Sequence, residues 1–475
     1  MKEVKNMYLI SAISGACAMI VEVTGTRVIA PYLGNTIFTW ASVIGLVLGA
    51  LSIGYYFGGR IADKYNEKTH LTKILLYAAM ATISVPILGK ILLPFFSLLP
   101  LAPASILAAL IIVPASFLYG MISPYIIKLT NRKGEEGGSA GDIFAISTIG
   151  SIIGTLGTGF LLIPNMQITH IFVLAAGLMT IAAWLCNDKK LSPTNKVDAV
   201  MLVIFSVIAT QISFAPLFGT VIYQTNSPYY YITVADGEWK NENARVLFLD
   251  RAASSGERNG SPIFDYVKLS RIGYGAVSKE PRNTLVIGVA AGTQIEDVKM
   301  RFPATKVTGI EIDEKTVNVG KKYFSLKEDN RTKIIIDDAR RFLSQSNDSY
   351  DLIIIDVFRD MSIPPHLATR EFFETLDKRL SKDGIIVVNL ISSLEGENSH
   401  IFELLYNTYS AVFKNVKVIP INKEHPEEKQ NILLVISNRD LSDFEELNTM
   451  YSYNPKIKDK RIITDELNPI ETYVN

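Results

Sequence analysis

Seven apolar segments before residue 218, a change to mixed polar composition after it, and four Val/Ile-rich runs that each end in Gly or Asp carry the fold prediction. They predict a multi-pass α-helical membrane half (1–218), a small antiparallel β-layer (219–282) and a Rossmann-like α/β sheet (283–475). At 475 residues the chain exceeds one ordinary domain. Its 48% hydrophobic content and mean hydropathy of +0.23 average two unlike halves.

Forty-seven basic and 47 acidic residues leave no formal net charge, so no global field recruits nucleic acid. The two cysteines, Cys17 and Cys186, lie inside apolar segments, so the sequence reads as neither a disulfide framework nor a metal centre, and no metal is expected.

The apolar segments run over 7–23, 40–59, 74–98, 104–127, 143–163, 168–186 and 199–218. Each is near the roughly 20 residues that span a bilayer, so the chain is expected in a cell membrane with lipid as a partner. The first lacks a small-residue cleavage site and is read as a retained anchor. Glycines four apart (Gly45 and Gly49, Gly54 and Gly58, Gly150 and Gly154) mark expected close helix contacts, or a substrate path along a glycine face. Glu22 and Arg27 near a membrane end either pair with each other and with headgroups or bind a ligand.

Twelve Lys and Arg residues flank alternate ends of these segments, against Arg27 alone on the other side, which places the N-terminus inside. Seven crossings from there would put the second half outside, where adenosine cofactors are not normally supplied. The catalytic half is nevertheless expected in the cytoplasm, with either 199–218, which ends near Pro216, or the 74–127 block miscounted.

From Gly219 onward, GTVIYQTNSPYYYITVAD and ARVLFLD read as short strands, with turns at Ser227-Pro228 and Asp236-Gly237. Tyr229, Tyr230 and Tyr231 form either a stacking platform or an alternating core and rim. Ser254–Ser261 (SSGERNGS) reads as a polar loop. Further on, 367–380 and 401–412 read as helices, GIIVVNLI, VKVIPI and NILLVIS as strands, and 440–475 as a charged edge cover.

The α/β runs are TLVI before Gly288, VTGIE, IIID and LIIID. In open α/β sheets ligands sit beyond the carboxyl ends of the strands, so Gly288, Gly292, Glu311, Asp338 and Asp356 are expected to share one crevice. The glycine pair allows a ligand to approach backbone N–H groups at a helix start. Glu311, 19 residues after Gly292, suits a ribose diol, unless Asp313 simply caps the next helix beside it. Asp338, with Ala339, can take an adenine amino group or cap a helix. Asp356, at the rim of an apolar wall, suits a general base for an attacking amine, or caps the next turn.

In order, SPY (227–229), LD (249–250), GxxxG (288–292), EID (311–313), DDA (337–339), Asp356, a proline loop and EFF (371–373) resemble the spermidine synthase family of aminopropyltransferases. The SGACAMIVEVTGTR opening and GGRIADK loop are similar to its membrane-fused members, and GYYFGGRIADK also resembles a cytosolic loop of major facilitator transporters. The resemblance implies a class I methyltransferase-type fold, a homodimer, and transfer of an aminopropyl group from decarboxylated S-adenosylmethionine to an amine such as putrescine. It further implies that Glu311 holds ribose, Asp338 and Ala339 hold adenine, Pro364 lines the adenosine, and Asp356 deprotonates the acceptor.

The amine side departs from the family. Ala291 stands for an Asp, Tyr230 for a Gln, Phe264-Asp265-Tyr266 for Tyr-His-Glu, and a second acid is displaced to Asp360. Asp265 or Asp360 could substitute for the missing acid. Two other readings follow: a methyl or aminocarboxypropyl transferase using intact S-adenosylmethionine, or a non-catalytic transporter or sensor that binds polyamine or nucleoside.

Overall fold

The computed structural model describes residues 2–65, 67–130, 136–187, 193–211, 218–277, 279–358, 363–442 and 453–473. The chain forms two compact units, Met1–Phe214 with Thr225–Pro228, and Ala215–Gln224 with Tyr229–Asn475. The β-layer and the α/β sheet fall together in the second.

The first unit is helical: α1 (Lys2–Leu33), α2 (Ile37–Lys64), α3 (Lys68–Phe96), α4 (Leu101–Ala109), α5 (Val113–Thr130), α6 (Glu136–Gly157), a short α7 (Ile163–Asn165), α8 (Ile168–Cys186) and α9 (Pro193–Thr210). A π-helical turn, Thr158–Leu162, joins α6 to α7. Helix α1 continues past the expected end at residue 23, through Glu22 and Arg27, to Leu33. The Thr26 hydroxyl donates back to Val23 O (2.8 Å), so this polar side chain is satisfied within the helix and does not end it.

Four of the six glycines sit at close contacts. A Cβ on Gly54 would strike Phe117 O, one on Gly58 the backbone of Met121, and ones on Gly150 and Gly154 the backbone at Ala12 and Ala16. Gly45 and Gly49 face open space, so the close-contact expectation fails for that pair. Among the described residues five helices are long and apolar enough to cross a membrane. The bent pair α4 and α5, meeting at 46°, makes up to six. Val200–Thr210 in α9 is shorter, and the 212–217 stretch with Pro216 lies outside the described residues.

The second unit opens with a sheet in the order β1 (Thr220–Asn226), β2 (Tyr231–Trp239), β3 (Glu242–Leu249), β4 (Ala252–Arg258) and β5 (Ser261–Pro262). Two local readings are corrected here. Asp236-Gly237 lies inside β2, where a Cβ on Gly237 would meet the Phe218 ring at 2.7 Å, so the glycine serves packing. The actual turn is Lys240-Asn241, with φ of 52° and 63°. Ser254–Ser261 is mostly strand β4 paired to β3, turning at Asn259-Gly260, where Asn-Gly supplies the two left-handed residues of a tight hairpin.

Helix α10 (Asp265–Gly275) leads into a seven-stranded sheet. Its strands are β6 (Asn283–Ile287), β7 (Lys306–Glu311), β8 (Thr332–Ile336), β9 (Tyr350–Ile355), β10 (Leu380–Ser392), β11 (Asn415–Pro420) and β12 (Gln430–Ser437). They lie in the order β11-β12-β10-β9-β6-β7-β8, with β12 antiparallel to both its neighbours. Five further helices alternate with them: α11 (Thr293–Arg301), α12 (Glu314–Tyr323), α13 (Ala339–Gln345), α14 (Arg370–Arg379) and α15 (His400–Ser410).

The doubly wound order puts a switch point beside β6, with apolar clusters on both faces of the sheet. Tyr453 bridges to Val418 on the outer strand β11, so the C-terminal stretch does reach the sheet edge.

Candidate active site

Register places the site. Ile287 lies opposite both Ile310 and Ile355, and Glu311 opposite Ile336, so strands β6, β7, β8 and β9 finish on one line. The next residues, Gly288, Asp356 and the Asp337-Asp338 pair, therefore emerge together with Glu311.

The glycine turn is built from left-handed backbone: Gly288 at φ 88°, Ala290 at 47° and Gly292 at 81°. The Asp356 carbonyl leaves no room for a Cβ at Gly288, nor does Leu326 at Gly292. Ala290 adopts this conformation despite its methyl group, a local strain of the kind found at ligand sites. Gly292 caps α11 with no side chain, which leaves the helix start open to a ligand.

Glu311 is buried, and its carboxylate accepts four backbone N–H groups. Oε2 takes Val289 (3.1 Å) and Ala290 (3.0 Å), and Oε1 takes Ile312 (3.0 Å) and Asp313 (3.2 Å). Burial raises its pKa, against the lowering effect of those bonds. The acid thus fixes the glycine turn at the end of β7. Asp313 caps α12, as the alternative reading of that stretch expected.

Asp338 caps α13 through Arg341 N (2.9 Å), and its other oxygen lies 2.7 Å from His366 Nε2. Burial pushes its pKa up, but these bonds win and the net shift is downward. Ala339 is buried at the first position of α13. Pro364 opens the short 3-10 turn that carries His366. Tyr229, more than its neighbour Tyr230, belongs to this side: burial and the charges of Asp313, Asp338 and Glu311 raise its pKa.

Asp356 is half-buried and accepts from Asn389 Nδ2 (2.9 Å), with the Tyr266 hydroxyl, which donates to Ser254 O (3.3 Å), near enough to act on its charge. Asn389 is itself oriented by Asn431, whose amide donates to its Oδ1 at 3.0 Å. Burial raises the Asp356 pKa while the Asn389 bond and the nearby Tyr266 hydroxyl pull it down. It is a stronger base than a solvated aspartate, and Asn389 aims it.

The other amine-side residues fall differently. Ala291 is 1% exposed, packed in a cluster with Ile232, Val234 and Leu249, and its N–H donates to Ser255 Oγ (3.2 Å). Tyr230 packs against that cluster. The Asp265 carboxylate is exposed and pairs with Lys240 at 2.6 Å. Asp360 lies outside the described residues. Sequence reasoning missed Asn389 and His366, and the nearness of Tyr266 to Asp356. The one polar residue in the buried run IIVVNLI was a readable signal for Asn389.

Residues 272–438 match the spermine/spermidine synthase domain. The chain is 28% identical over 220 residues to a probable polyamine aminopropyl transferase of Bifidobacterium longum, covering 46% of this chain and 48% of that protein. It is 25% identical over 249 residues to a polyamine aminopropyltransferase of Vibrio vulnificus, covering 50% and 78%. The chain thus spans about half the length of the first of these relatives. Among solved structures, a probable spermidine synthase from Corynebacterium glutamicum gives a TM-score of 0.41 at 21% identity, covering 47% of this chain and 81% of that one.

Proposed function

Through residues 272–438 this chain is a member of the spermidine synthase family, and on that premise we propose that it is an aminopropyltransferase with decarboxylated S-adenosylmethionine as donor. The observation that carries this is the single line of Gly288, Glu311, Asp338 and Asp356 at the strand ends, with Asp356 aimed by Asn389.

In the proposed reaction Glu311 and Asp338 orient the adenosine, and the open start of α11 lies against the donor. The acceptor nitrogen attacks the propyl carbon attached to sulfur. The carbon–sulfur bond breaks with its electron pair going to sulfur, which leaves as neutral methylthioadenosine. The surplus proton on the new secondary amine passes to an Asp356 oxygen. The acceptor is a small amine, and putrescine is the first to try.

The test is to incubate the full chain, in detergent or nanodiscs, with this donor and a panel of di- and polyamines. Methylthioadenosine release that depends on one of the amines is expected; its absence with every acceptor overturns the proposal. One observation favours a second reading. Ala291, buried and apolar, stands where an acid would repel a donor carboxylate, and this would suit intact S-adenosylmethionine. Calorimetric comparison of the two donors decides, since a clear preference for the decarboxylated one removes that alternative.

We further propose that the helical half is a membrane anchor with an even number of crossings. Among the described residues five helices satisfy length and composition, and counting the bent pair α4 and α5 as one span makes six; that even count would return the catalytic half to the side of the N-terminus, inside.

A further inference from the structure

We propose that a second site, separate from the strand-end crevice, binds a phosphate-bearing ligand in the cavity between two hairpin turns and helix α10. The cavity measures about 490 Å³, within the range of small-molecule sites. One wall is the β2–β3 turn with Trp239 and Lys240, another the β4–β5 turn with Arg258 and Asn259, and the third the face of α10 that carries Lys268 and Arg271.

The walls are held in place. Both turns use left-handed residues, Lys240-Asn241 and Asn259-Gly260, which fix tight two-residue hairpins. Arg258 ties the hairpins together, donating to Trp239 O (3.1 Å), Asn243 O (3.1 Å) and Glu242 O (3.3 Å) while it pairs with the Glu242 carboxylate. Arg271 is held by Asp297, a carboxylate 1% exposed on α11, at 2.5 Å. The site is therefore preorganised before any ligand arrives.

Charge selects the ligand. Four cations and no carboxylate line the cavity. Three of the cations are paired, to Asp265, Glu242 and Asp297, which are not lining residues. Among the described residues Lys268 makes no hydrogen bond or ion pair, and the Trp239 indole N–H is a buried donor without an acceptor. An uncompensated ammonium beside a fixed guanidinium and a second lysine suits a multiply charged oxyanion, for which arginine and lysine are the usual partners. Trp239, Pro262 and Ile263 supply an apolar surface for the body that carries it. A soluble phosphorylated metabolite and an anionic lipid headgroup share this chemistry.

The test reads the acylation rate of individual lysines by mass spectrometry, on the full chain in phosphatidylcholine nanodiscs with and without inorganic pyrophosphate, and in phosphatidylglycerol nanodiscs without it. Protection of Lys268 and Lys240 by pyrophosphate, with Lys306 unprotected, identifies a soluble ligand. Protection only in phosphatidylglycerol identifies a headgroup. Equal rates in all three conditions, or protection spread equally to Lys306, overturn the proposal. As a second measurement, calorimetric affinity for pyrophosphate should fall about tenfold or more in Lys268→Glu, an exposed position that leaves folding intact. It should rise in Asp265→Asn, which frees Lys240. Neither readout uses the transferase reaction, so the proposal stands or falls apart from it.

Discussion

Asp356 carries the account at the scale of single residues. Replacing it by Asn should lower turnover by roughly 10²–10⁴-fold, the usual contribution of a positioned general base. The same change should stabilise the fold at neutral pH. Burial raises the Asp356 pKa above its unfolded value, so its contribution is favourable at acid pH and is lost as pH rises through the folded pKa. Melting temperatures across pH check this: the variant's advantage should appear at neutral pH and vanish on acidification. Tyr266→Phe removes a nearby hydroxyl that holds this pKa down, so the acid limb of the kcat/KM profile should move to higher pH. An unchanged limb would mean that the phenol does not act on the base.

At the scale of elements, the glycine turn joins fold to site. Gly292→Ala places a methyl group at φ 81° against Leu326, and should cost about 2 kcal/mol in stability and weaken donor binding, as read by denaturant unfolding and calorimetry. Strands β6, β7, β8, β9 and β10 were legible because parallel pairing within a covered sheet leaves apolar Val/Ile runs, and β11 and β12, though antiparallel to each other, carry similar runs. The adenosine side was legible with them, since an acid or glycine ends each of the four runs at β6, β7, β8 and β9. Strand β4 was not legible: AASSGER has no apolar alternation, and it is a strand because β3 offers a partner edge. The surroundings of Asp356 were only half legible, because Tyr266 and Asn389 come from α10 and β10, distant in sequence, and meet it through the fold. The departures at Ala291 and Asp265 were visible as letters. That one is buried among Ile232 and Val234 while the other pairs with Lys240 required coordinates.

At the scale of the whole molecule, the helical half and the catalytic half make separable claims. Helix counting from sequence gave seven apolar segments, with 104–127 already taken as one; the described residues hold five helices of spanning length, or six with the bent pair α4 and α5 as one, because the described apolar part of α9 is short. Reporters fused to the two termini should therefore light up on the same side of the membrane, and opposite sides would contradict an even count. The central claim, that the strand-end crevice transfers an aminopropyl group, is tested most directly by mass spectrometry of the products. The full chain is given decarboxylated S-adenosylmethionine with putrescine, beside a matched Asp356→Asn sample. The account expects an amine lengthened by one aminopropyl unit and an equal amount of methylthioadenosine, both strongly reduced in the variant. A methylated amine, or product formed equally well without Asp356, would contradict it.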